Sequence, residues 1–183
     1  MKLSFKEPST RSFMKFLFAP LIINFIIELC SRRNLLDTFG YIFGSPLVFL
    51  YNSLIILATL SVVLLFKRRT FFFTLITTVW IGFGITNGII LSNRVTPFTA
   101  TDLTLADLGL GIISKYLSKT TTTIIATFLI LVVLGIVFLF FKGPKYKGKL
   151  NYKKNVLIVA SVWVFLLLST KTALGFNIIA SYF

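Results

Sequence analysis

The chain has no histidine and a single cysteine, Cys30, among its 183 residues. Without them there is no thiolate–imidazole pair, no His-ligated metal and no disulfide within the chain. Acidic groups are nearly as scarce. Glu7, Glu28, Asp37, Asp102 and Asp107 stand against 19 lysines and arginines, for a formal net charge of +14. A basic start followed by the apolar run from Phe16 to Ile27 has the outline of a signal peptide, but no small-x-small cleavage site follows it. A lipidation site fails as well, because bulky Leu29 precedes Cys30 where a small residue is needed. The segment reads as an uncleaved first span.

What the chain has in abundance is apolar length. Of its residues 56% are hydrophobic and 16% aromatic, and the mean hydropathy of +0.93 is far above that of a water-exposed protein. Five runs are long and free of charge: Phe13 to Leu29, Pro46 to Phe66, Phe71 to Leu91, Thr123 to Phe141, and Val156 to about residue 172. A hydrocarbon core about 30 Å thick takes about 20 apolar residues per helical crossing, so each run suits one span. Backbone polar groups in lipid must be satisfied within the segment, and no alternating strands are present to close a barrel. The expected fold is an all-α, polytopic membrane protein of five transmembrane helices forming one domain over residues 1–183.

The basic residues lie between these runs and set the expected orientation. Thirteen fall in the N-terminal arm and in the second and fourth connections, and six in the remaining connections and the C-terminal tail. The excess places the N-terminus in the cytoplasm and, after five crossings, the C-terminus outside, in the cell membrane. The run from Lys142 to Lys154 interleaves lysine with two tyrosines, which superficially suits a nucleic-acid patch. A short positive-inside loop touching anionic headgroups explains it more simply, so no nucleic-acid partner is expected.

One long connection, Ser92 to Thr122, joins the third and fourth spans. Within it, a helical wheel over residues 102–119 gathers Leu103, Ala106, Leu110, Ile113 and Leu117 on one stripe, with Thr104, Asp107, Ser114, Lys115 and Ser118 opposite. Too short and too charged to cross, this segment is expected to lie extracellularly as an interfacial amphipathic helix. Asp102 in its first turn complements the helix dipole, and Pro97 turns the chain before it.

Polar groups within or just beyond the spans cluster toward the outer leaflet: Asn24, Glu28 and Arg32 on the first, Asn52 on the second, Asn87 and Arg94 on the third, and Lys171 on the fifth. Two readings stand side by side. Each residue could serve packing, through hydrogen bonds between helices worth roughly a kcal/mol and snorkelling cations, with Glu28 pairing Arg32 one turn on. Together, Glu28, Arg32, Asn52, Asn87, Arg94 and Asp102 would form a polar rim that meets lipid headgroups or an extracellular domain. No residue stands out as catalytic or as a metal ligand. Gly84 and Gly88, four apart on the third span, would permit a close helix contact.

At NRVTPFTATDL, Asn93 to Leu103, the chain resembles the transmembrane region of the lipoteichoic acid synthase family, the sulfatase-like phosphoglycerol transferases of Gram-positive bacteria. Glu28 to Arg32, Pro46 to Asn52, and Asn87 match the family pattern in the same order, as does the five-span layout. The resemblance implies a cell-envelope role, in which the spans anchor and orient a large extracellular domain of sulfatase fold. There a metal-activated threonine would transfer glycerol phosphate from phosphatidylglycerol to a polymer growing on a glycolipid. That domain is absent from these residues, and so is any counterpart of its catalytic threonine or of its ligands for Mn²⁺ or Mg²⁺. No cofactor is therefore expected in the chain itself. The expected partners are membrane lipids, with phosphatidylglycerol or glycolipid headgroups among them, and the extracellular domain. A small stand-alone transporter would instead call for an inverted repeat and polar groups at mid-membrane, and neither is found. A non-catalytic accessory membrane protein fits the same composition.

Overall fold

A computed structural model of the protein describes residues 10–91, 119–146 and 150–171. The described residues are helical: α1 (Thr10–Arg32), α2 (Leu35–Gly44), α3 (Pro46–Ser61) continued by a 3-10 turn (Val62–Leu65), α4 (Arg69–Leu91), α5 (Lys119–Lys142) and α6 (Tyr152–Lys171). Three are long and apolar enough to cross a membrane, namely α3 with its turn, α4 and α6. With 23 and 24 residues, α1 and α5 reach the same length. The proposed interfacial helix over 102–119, together with Arg94, Pro97 and Asp102, lies outside the described residues apart from Lys119, which opens α5.

Helix ends follow local chemistry. Pro46, whose missing N–H is an orphan at a helix start in any case, opens α3 directly after Ser45. At the far end of α3 the backbone tightens into the 3-10 turn, and the Phe66 N–H closes it on the Val63 carbonyl at 3.1 Å. Pro20 sits buried inside α1. It removes the N–H that would reach the Phe16 carbonyl, a loss helices tolerate better within a membrane bundle than in water.

The core lies where α1, α3 and α4 meet. Ile23 from α1 and Ile56 and Leu60 from α3 are buried, with Phe16, Ile27, Phe73, Ile76, Trp80 and Ile81 packed around them. Apolar burial between helices is only part of what joins them, because lipid solvates leucine as well as protein does. Hydrogen bonds supply the rest. Buried Asn24 donates from Nδ2 to the Phe49 carbonyl at 2.9 Å and to Ser53 Oγ at 3.0 Å, clamping α1 to α3. Trp80 Nε1 on α4 donates to Thr59 Oγ1 on α3 at 2.9 Å. Farther along, α6 donates from Asn155 Nδ2 to the Leu64 carbonyl at 2.8 Å.

Much of the remaining apolar surface faces outward. Phe128, Leu131, Phe138 and Phe141 of α5 and Leu157, Phe165 and Leu168 of α6 are each more than half exposed. A water-soluble monomer rarely leaves so continuous an apolar face uncovered, whereas a hydrocarbon solvent favours it.

A helix not expected from the sequence separates the first two long helices. α2 begins at Asn34, whose Oδ1 accepts from the Leu36 N–H at 3.0 Å, and carries Asp37 in its first turn. Leu35, Leu36, Phe39 and Phe43 are exposed on it, while Thr38 is buried and donates to the Asn34 carbonyl at 2.8 Å. Phe39 also meets Phe25 of α1, ring centroid to ring centroid, at 5.6 Å.

Candidate functional site

The C-terminal ends of α1 and α4, the whole of α2 and the start of α3 share one end of the bundle. Two glycines bring α1 and α4 together there. Gly84 and Gly88 are both buried, and a Cβ added to Gly84 would come within 2.7 Å of Ile27 Cγ1. A Cβ on Gly88 would run into the Cys30 carbonyl. The small-xxx-small pair therefore lets α4 lie against the backbone of α1 over the last two turns of both helices.

That approach places the chemistry. α1 ends at Arg32, and Arg33 follows with a φ of 57°, a left-handed conformation usually left to glycine. The bend lets the Arg33 N–H donate to the Leu29 carbonyl at 2.8 Å. It also carries the guanidinium across to α4, where Nη2 donates to the Gly88 carbonyl at 2.7 Å. Asn34 follows at once as the cap of α2, so the arginine serves as the corner between two helices.

Around this corner lie several of the rim residues read from the sequence. Glu28 and Arg32 pair through Oε2 and Nε at 3.3 Å, and the Glu28 side chain is only 13% exposed against 37% for Arg32. The guanidinium of Arg32 also lies 4.0 Å above the Tyr41 ring of α2. Glu28 meets Arg32 through Nε, and the exposed arginine carries a charge suited to an outside oxyanion. Asn87 donates from Nδ2 to Ser31 Oγ at 3.3 Å, and Ser31 in turn donates to the Ile27 carbonyl at 3.0 Å. Asn52 is half-buried on the second turn of α3, beside the Ser53 that receives Asn24. Glu28, Arg32 and Asn87 are thus brought to one end, and Arg94 and Asp102 fall outside the described residues.

Sequence reasoning did not single out Arg33, Ser31 or Tyr41. The signal for Arg33 was present in Arg32-Arg33-Asn34, a basic helix end running straight into a preferred N-cap residue. Ser31 and Tyr41 carried none, since their roles depend on which helix lies alongside. Among the described residues no three of His, Cys, Asp and Glu gather where they could hold a metal ion. The arrangement can hold and orient an anion at the bundle surface. No protein-family model, no curated protein and no solved structure matches this chain.

Proposed function

We propose that the chain is the membrane domain of a lipoteichoic acid synthase-like phosphoglycerol transferase, with five spans, its N-terminus in the cytoplasm and its C-terminus outside. In this reading it anchors and orients an extracellular sulfatase-like domain whose own site would hold Mn²⁺ or Mg²⁺. The rim around Arg32, Arg33 and Asn87 presents phosphatidylglycerol headgroups to that domain. One observation carries the reading. Segments far apart in sequence that bear the family resemblance, Glu28 to Arg32, the start of α3 at Pro46, and Asn87, lie at a single end of the bundle. An anionic headgroup meets exposed arginines there, on the face where a domain following α6 would emerge.

The decisive test joins the chain to the catalytic domain of such a transferase in cells lacking their own enzyme, with polyglycerol phosphate measured by immunoblot. Polymer made by the fusion, and reduced by Arg32→Ala, supports the reading. A fusion that is exported and folded yet makes no polymer rejects it in favour of an accessory or transport protein. The reading frame after the Phe183 codon offers a second check, since an open frame into a sulfatase-like domain is the expected outcome.

A further inference from the structure

The opposite end of the bundle has a different chemistry, and neither the family resemblance nor the rim accounts for it. Arg68 and Arg69 sit where the 3-10 turn after α3 hands over to α4, beside the end of α5 and the start of α6. Each guanidinium is laid on a ring, Arg68 at 4.4 Å from the Phe140 centroid and Arg69 at 4.1 Å from that of Tyr146. Phe71 closes on Phe140 at 5.0 Å, and Phe66 stacks on Phe72 at 3.9 Å, which walls the site with aromatic rings. The Tyr146 N–H is held by the Lys67 carbonyl at 2.8 Å, so the connection after α5 is fixed against the one before α4.

The acceptors do not match the donors. Arg69 Nη2 reaches the Leu64 carbonyl at 3.3 Å, but that oxygen already takes the shorter bond of 2.8 Å from Asn155. Arg68 Nη1 and Arg69 Nε are buried with no hydrogen-bond partner. No carboxylate is near among the described residues: Glu28 lies in the last turns of α1 and Asp37 in the first turn of α2, both at the other end. Lys67, Lys142 and Lys145 fall in the adjoining segments and add charge of the same sign. Two adjacent guanidinium groups, each over a ring and short of acceptors, suit an anion that brings several oxygens at once.

We propose that this end binds a phosphate oxyanion on the half-buried guanidinium groups of Arg68 and Arg69. Phosphate suits the pair better than carboxylate, because its oxygens spread tetrahedrally and can reach donors on two separate side chains. The aromatic wall at the edge of the apolar helices sets the site at headgroup depth, which makes the phosphate of an anionic phospholipid its natural source.

Thermal unfolding of the purified full chain in neutral detergent, followed by the fluorescence of Trp80 and Trp163, tests this. Phosphatidylglycerol is titrated against phosphatidylcholine, and soluble glycerol phosphate forms a separate arm. Phosphatidylglycerol should raise the midpoint saturably, and its half-saturating concentration should rise about tenfold or more in Arg68→Gln/Arg69→Gln. The conservative Arg68→Lys/Arg69→Lys keeps the charge and should still lose most of the effect, and it serves if the glutamine variant folds poorly. Lys153→Gln/Lys154→Gln, which removes equal charge from exposed positions, should shift half-saturation less than about twofold. Stabilisation by the lipid alone assigns the phosphate to a headgroup, and stabilisation by glycerol phosphate as well assigns it to phosphate from either source. Equal loss in the two charge-removing pairs, or no loss in either arginine pair, overturns the proposal.

Discussion

Arg33 donates to the Gly88 carbonyl across 55 residues of sequence, and it does so from a left-handed backbone at the end of α1. Holding a non-glycine residue there costs about 1 kcal/mol, which the charged hydrogen bond offsets. Arg33→Ala keeps the strain and loses the bond, so it should destabilise the protein by about 1–2 kcal/mol. Arg33→Gly loses the same bond and removes the strain, and should fall closer to wild type. Unfolding in detergent measures both, and an alanine variant as stable as the glycine variant would show that the corner is not strained.

The glycines of the bundle make a second, sharper contrast. Gly88→Ala pushes a methyl group against the Cys30 carbonyl and should lower stability by about 1–3 kcal/mol. Gly135 on α5 has nothing within 4 Å of an added Cβ. Gly135→Ala should therefore be neutral, or stabilising by up to about 1 kcal/mol through helix propensity. Equal effects at the two positions would contradict the close approach of α1 and α4.

Asn24 and Ser53 form the buried polar link between α1 and α3. Asn24→Ala and Ser53→Ala should show a coupling energy of about 0.5–1 kcal/mol in a double-mutant cycle, the scale measured for hydrogen bonds between membrane helices. Asn24→Ala alone should cost more than Ser53→Ala, because Asn24 also donates to the Phe49 carbonyl. A coupling of zero would mean that the two groups find other partners with equal ease.

Orientation can be read with thiol reagents once Cys30 is replaced by serine. Asp37→Cys on α2 should react with a membrane-impermeant maleimide in intact cells. Lys145→Cys, between α5 and α6, should react only after permeabilisation, since the basic connections belong on the cytoplasmic side. The opposite labelling pattern would invert the proposed topology and remove the rim from the outer face.

Helix positions were largely legible in the sequence because a membrane helix must be both long and free of charge. The run from Pro46 to Phe66 and the observed Pro46–Leu65 differ by one residue, and Phe71 to Leu91 lies within Arg69–Leu91. α2 escaped notice because it is ten residues long, too short for a spanning pattern. Its start was nevertheless written in Asn34 and Asp37. The pairing of Glu28 with Arg32 could be expected from their spacing of four. The bond from Asn87 to Ser31 could not, since it depends on the rotation of α4 against α1, which the two glycines decide through shape rather than through polarity. Arg68 and Arg69 read only as positive-inside charge, because a count of cations does not reveal which of them carry buried N–H groups without an acceptor.

The bond from Asn155 to Leu64 also bears on how the protein is made. A ribosome releases Leu64 long before it reaches Asn155, 91 residues later, so the carbonyl within the 3-10 turn waits for α6 to be synthesised. Arg69, five residues on, is the donor at hand during that interval. A nascent chain halted before α6 would therefore leave that carbonyl to the arginine, and the arrival of Asn155 marks the docking of α6 against the 3-10 turn.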